Sequence, residues 1–252
     1  MPRSPLPGPG SASLAPTTLY SLDLTAEPEQ AGIAAGDFEI GGLTWTLAQS
    51  TADPTCDLVQ GSGLVLTSAD GDADWVAAVT VPLYELGVAD YVLRRRVVVS
   101  ARLVSTFPSA DASLVGFGVT SSNGVSPDCG TWVGRLTVGG DAMFVPYTNI
   151  GGTEYPALGS RTYADDLTHD VYQVAYDSVV RSDLFSGEWG DDWPYPGDMR
   201  SRSASQAPVD AVAMASPPGA ADLLLSVYVS KHLNAAGEPM SVTLSHLKVE
   251  VY

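Results

Sequence analysis

Lysine is almost missing from this chain. Only Lys231 and Lys248 stand against 29 acidic residues, and with 12 Lys and Arg in all the formal charge is −17 over 252 residues. That balance excludes nucleic acid as a partner, because neutralising phosphates takes clustered basic side chains. The one basic run, Arg94, Arg95 and Arg96, is split by strand alternation between two faces and reads as a solvated sheet surface. Long apolar runs are lacking as well, so no segment is suited to cross a membrane as a helix. Residues 1–16, MPRSPLPGPGSASLAP, contain no apolar stretch of the kind a secretory signal needs. Cysteine is scarce too. Cys56 and Cys129 fall in expected loops and fit no zinc spacing, which leaves one disulfide and two free thiols as open alternatives.

What the chain has in quantity is strand pattern. In residues 91–104, YVLRRRVVVSARLV, the odd positions Tyr91, Leu93, Val97, Val99, Ala101 and Leu103 are apolar, with Arg95 the exception. Period-2 alternation with β-branched enrichment predicts a strand with one face on a core. Val115, Phe117 and Val119 repeat the pattern against Gly116, Gly118 and Thr120. A strand as long as the first, followed closely by another, belongs near the middle of a large antiparallel sheet, with Val97 and Val99 facing the core together with Leu225 and Val249.

Shorter strands are expected at Tyr20–Leu24, at Leu43, Trp45 and Leu47 after the Gly41-Gly42 turn, and at Leu64 and Leu66. More follow at Trp132–Val138, Met143–Tyr147, Tyr172–Val180 and Leu223–Val229. Pro82 opens a brief helical turn in which Leu83 and Leu86 share a face. In MSVTLSHLKVEVY the apolar parity changes between Leu244 and Leu247, which predicts a β-bulge near Ser245-His246. Residues 181–219 form the longest break, and a loop of that length in a compact domain is a place to look for function.

Many short strands, hardly any helix and no βαβ rhythm define an all-β fold, a two-sheet antiparallel sandwich with long loops. Residues 1–17 are expected to be an extended arm rich in Pro, Gly and Ser, and residues 18–252 a single β-sandwich domain. The order GSGLVLTS, PLYELGVADYVLRRRVVVSARLVS, SLVGFGVTSS and a closing VTLSHLKVEVY resembles the concanavalin A-like, or laminin-G-like, jelly roll. The resemblance implies relatives among phage virion proteins and carbohydrate-binding modules.

Catalytic patterns are not found. The resemblance points to an E-x-D-x-x-E strand as the place for a glycosidase pair, and no glutamate of this chain begins that motif. His169-Asp170 lacks a G-x-S-x-G elbow to serve and reads as a polar loop end. The expectation is therefore a protein that is not an enzyme. Asp70, Asp72 and Asp74 alternate in a tight turn and would supply oxygens to Ca²⁺, the one cofactor the sequence admits. Trp75 and Val81 break the EF-hand pattern there, and a plain acidic turn is the competing reading.

In LFSGEWGDDWPYPGD, the residues Phe185, Glu188, Trp189, Asp191, Asp192, Trp193 and Tyr195 combine flat apolar faces with acceptors. Such a loop suits core cover, a protein interface or a glycan. The function expected from these features is a structural, interaction-making component of a phage virion, such as a capsid decoration or tail accessory protein. It would be made in the host cytoplasm and carried on the virion surface. Its partners would be other virion proteins or copies of itself in a homo-oligomer. The alternative is a lectin-like module that binds a cell-surface glycan.

Overall fold

A computed structural model describes residues 16–49, 55–68, 75–89, 95–106, 114–120, 129–138, 141–150, 153–156, 171–177, 184–190, 221–231 and 240–252. Within these residues the strands are, in chain order, β1 (Thr17–Asp23), β2 (Gly36–Ile40), β3 (Leu43–Gln49), β4 (Thr55–Val59) and β5 (Gly63–Thr67). Next come β6 (Trp75–Pro82), β7 (Arg96–Thr106), β8 (Leu114–Thr120), β9 (Cys129–Val138) and β10 (Asp141–Ile150). The last are β11 (Thr153–Pro156), β12 (Val171–Asp177), β13 (Leu184–Gly190), β14 (Leu224–Lys231) and β15 (Ser241–Val251). A single 3₁₀ turn, Leu24–Ala26, is the helical element among the described residues.

Two antiparallel sheets form a sandwich. One has seven strands in the order β13–β12–β7–β15–β5–β4, with β1 added to β15; the other has eight, β11–β10–β9–β8–β14–β6–β3–β2. The core lies between them. Val97, Val99, Ala101 and Leu103 of β7 meet Leu247, Val249 and Val251 of β15, with Leu225, Val227, Val229, Val115, Phe117 and Val119 opposite. Val97, Val99, Leu225 and Val249 thus share one core, as alternation predicts. Trp45 is fully buried at 0% exposure, and its indole N–H donates to the Ile40 carbonyl at 3.3 Å.

Local chemistry explains the corners. Gly41 and Gly42 have φ of 61° and 74°, which is the left-handed pair that joins β2 to β3 in a two-residue hairpin. After β6, the amides of Glu85, Leu86 and Gly87 donate to the carbonyls of Pro82, Leu83 and Tyr84, each at 3.1 Å, so the expected helical turn closes by i to i+3 bonds. It buries Leu83 and Leu86.

β15 organises the seven-stranded sheet. One edge pairs with β7 along Ser241–Val251; the other pairs with β5 up to Leu244 and with β1 from His246 onward. The register shifts between Leu244 and His246, which is the bulge announced by the change of parity. Gly63, at φ 114°, presses its backbone into that bulge. A Cβ there would overlap the Leu244 carbonyl oxygen and sit 2.9 Å from Ser245 Cα.

Three expectations need correction. Cys56 and Cys129 are not in loops: Cys56 lies in β4 and Cys129 opens β9, in opposite sheets. Cys56 is a free, buried thiol. The break at 181–219 is interrupted by strand β13, since Leu184–Gly190 pairs residue for residue with β12. Arg96 is half-buried rather than solvated, with its guanidinium 6.0 Å from the centre of the Tyr252 ring.

Candidate functional site

Of the residues singled out in the sequence, Phe185, Glu188 and Trp189 lie among those described. Asp70, Asp72 and Asp74 lie outside the described residues, as do Asp191, Asp192, Trp193 and Tyr195. Among the described residues no three His, Cys, Asp or Glu gather as a metal site. Phe185, Glu188 and Trp189 stand in β13, the edge of the seven-stranded sheet, and pairing divides them. Position 189 is in register with Tyr172, then Ala101, then Leu247, and the last two belong to the core. Position 185 continues to Tyr176, Val97 and Val251, also a core row. Glu188 falls on the other face, in the row Gln173, Ser100, Lys248 and Ser21. Pleating therefore sets the acid apart from the two aromatic positions.

The outer face of the seven-stranded sheet is rich in charge, and much of it is neutralised within the face. Lys248 Nζ lies 2.7 Å from Glu250 Oε1, and the Glu250 side chain is only 4% exposed. Asp23 Oδ1 accepts from the Thr25 hydroxyl at 2.6 Å and the Thr25 amide at 3.0 Å, capping the 3₁₀ turn. The Thr25 hydroxyl bond first, then the amide bond and the neighbouring His246, hold the Asp23 carboxyl below the usual carboxylate range.

The bulge also turns Ser245 toward its neighbour. Ser245 Oγ is 2.9 Å from His246 Nδ1, and His246 Nε2 is 3.5 Å from Asp23 Oδ1. Serine, histidine and aspartate in line carry the residue types of a nucleophile relay. Ser245 is only 9% exposed, its hydroxyl also reaches the Arg102 carbonyl at 3.4 Å, and the Gly63 backbone packs against it. We read the trio as the hydrogen bonding of the bulge. Sequence reasoning found the bulge but not this trio, because Asp23 is brought in by β1 from more than two hundred residues away.

The outer face of the eight-stranded sheet is built differently. One row crosses all eight of its strands: Asp37, Thr46, Thr80, Ser226, Gly118, Trp132, Tyr147 and Pro156 occupy successive strands from β2 to β11. The adjacent row holds Ala78, Tyr228, Gly116 and Gly134. Ala78, Thr80, Ser226, Gly116 and Gly118 are all buried, and Ser226 Oγ has no hydrogen-bond partner. The only acid in the long row, Asp37, takes the Thr46 hydroxyl at 2.7 Å, at the far edge of the sheet. This face pairs a glycine floor with aromatic positions and carries a buried hydroxyl.

Two stacked antiparallel sheets with this order make the chain a concanavalin A-like jelly-roll sandwich. Its fold is similar to the carbohydrate recognition domain of Emp47p, with a TM-score of 0.53 at 10% identity, covering 95% of this chain and 98% of that one. Looser likenesses are to the CBM2 module of the evolved Dit of Lactobacillus casei BL23 phage J-1 and to the T. cruzi calreticulin globular domain. The first has a TM-score of 0.46 at 10% identity, over 94% of this chain and 96% of that one. The second also scores 0.46 at 10% identity, over 92% and 87%. No protein-family model and no curated protein matches the sequence.

Proposed function

We propose that this chain is a non-catalytic carbohydrate-binding domain. The observation that carries the reading is the likeness, over 95% of the chain, to a domain that recognises carbohydrate. The edge of the eight-stranded sheet adds to it, since Asp37, Glu39 and Thr44 are exposed there and carry carboxylates and a hydroxyl of the kind sugars use. The test is titration of the purified chain against a panel of neutral and acidic oligosaccharides, read by calorimetry and by glycan array. Saturable binding to one class supports the reading. Absence of binding across the panel, from a chain whose melting is cooperative, overturns it.

The place of work we propose is the surface of a virus particle, among copies of itself or other virion proteins. What supports this is the Pro-rich stretch 1–16, followed at once by β1, which is paired to β15 in the middle of a sheet. Anything held by that stretch would be tied to the centre of the domain.

A further inference from the structure

We infer that the sugar site lies at the end of the sandwich that joins the turn at residues 82–87 to the hairpin at Gly41 and Gly42, and that it takes a neutral hexopyranose stacked on the Tyr84 ring. This rests on the carbohydrate-binding reading and names the site and the ligand class for it.

The first observation is an aromatic ring held out into solvent on a fixed support. Leu83, Leu86 and Val88 are buried, and the amides of Glu85, Leu86, Gly87 and Val88 each bond back into the turn at 3.1 Å. Tyr84 stands on this anchored turn and is 51% exposed, the one exposed aromatic side chain among those described. Its hydroxyl donates to the carboxylate of Glu85, itself exposed, so the ring is held beside an acceptor. A pyranose is apolar on its face and hydroxylated at its edge, and a ring with a polar group at its rim matches both.

The second observation is what adjoins the turn. Leu19 of β1 touches it at Gly87, where a Cβ would lie 3.7 Å from Leu19 Cβ. The next residue, Tyr20, donates its hydroxyl to the Gly41 carbonyl at 3.3 Å. Consecutive Cα atoms are about 3.8 Å apart, so these two side chains bring turn and hairpin to one end of the molecule. Tyr20 repeats the pairing seen at Tyr84: burial first, then the charge of Glu27, raises its phenol above the ordinary tyrosine range. The end is open as well. Gly41, Gly42 and Gly87 are exposed, and a Cβ on Gly42 would meet no atom within 4 Å.

The acids set the ligand class. Glu27 and Glu85 stand beside the two tyrosines, and exposed Glu39 lies one pair from the pair that closes the hairpin. Carboxylates accept protons from sugar hydroxyls, and on a chain of charge −17 they repel an acidic sugar.

The experiment uses the full chain and neutral tetrasaccharides of the gluco, manno and galacto series, with a uronate tetrasaccharide as the acidic arm. The variants are Tyr84→Ala, Tyr84→Phe and Glu27→Gln. Tyr84→Ala should weaken binding about tenfold by removing the platform, and Tyr84→Phe, which keeps the ring, should bind within about threefold of the parent. Glu27→Gln should also weaken binding about tenfold, through loss of a charged acceptor on the hairpin side. Because Tyr84 is exposed, Tyr84→Ala should melt within about 2 °C of the parent. A larger fall would show that the ring serves the core, which overturns the site. If Tyr84→Ala binds like the parent, the site is elsewhere and carbohydrate binding stands. A loss in Tyr84→Phe equal to that in Tyr84→Ala overturns the stacked geometry, and parent-like binding by Glu27→Gln removes the hairpin side from the site. If the parent prefers the uronate, the ligand class is wrong while carbohydrate binding again stands. If the parent binds no sugar, the function and the site fall together.

Discussion

Gly63 and Cys56 each turn a local constraint into a measurable quantity. Gly63 combines φ of 114° with a backbone contact that a Cβ would overlap. Gly63→Ala should therefore destabilise the fold by about 2 kcal/mol or more, from left-handed strain and displacement of the bulge together. A denaturation midpoint equal to that of the parent would show that the bulge yields freely. Cys56 is 1% exposed, and burial, helped by the adjacent Asp57, pushes its thiol up to about 12. The unfolded thiol ionises near its ordinary value of about 9, whereas the folded one stays neutral. Its contribution to stability is complete below pH 9 and is lost as the pH rises toward 12, by about 1.4 kcal/mol per unit. Replacing Cys56 with Ala should flatten that part of the alkaline stability profile. Native protein at pH 8 should also resist alkylation at this residue, which mass spectrometry would read.

At the scale of elements, β15 shows why some of the fold was legible in the sequence. Its two parities, Val242 and Leu244 before Leu247, Val249 and Val251, are a direct record of core contact on both sides of a bulge. The β7 alternation is equally plain, because Val97, Val99, Ala101 and Leu103 all face the other sheet. β4 and β13 escaped for physical reasons. β4 is an edge strand with only Cys56 and Leu58 buried, too few to set a period. β13 carries Gly187 and Gly190 and is recognisable only through its partner β12. The Ser245, His246 and Asp23 contact was less legible still, since Asp23 reaches it through strand pairing and not through spacing. The polar contents of β15 allow a test of their own. Lys248 neutralises a carboxylate that is almost fully buried, so Lys248→Met should destabilise by about 3–5 kcal/mol, while the double change with Glu250→Leu should recover most of it. A double-variant loss equal to the sum of the two single losses would mean that the pair contributes nothing beyond its separate side chains.

Over the whole molecule, the strand that follows the Pro-rich stretch ties the start of the described chain to its end. β1 lies antiparallel to β15, with Thr17 opposite Val251 and Asp23 opposite His246, and Leu22 and Leu24 are buried in the core. Burial of those two leucines is worth about 2 kcal/mol each, a large share of the stability of an ordinary domain. Removing residues 2–16 takes nothing from this arrangement, and the melting temperature should stay within about 2 °C of the parent. Removing residues 2–24 strips β1, uncovers the edge of β15 beyond the bulge and leaves unpaired backbone groups that recruit other chains. That variant should melt at least about 8 °C lower and form soluble aggregates, both visible by calorimetry and light scattering. The two truncations also separate folding from assembly. If the chain works on a particle through its first sixteen residues, the shorter deletion should fold normally and fail to incorporate. A shorter deletion that incorporates like the parent would remove this stretch from the assembly proposal, and one that unfolds would show that it belongs to the domain.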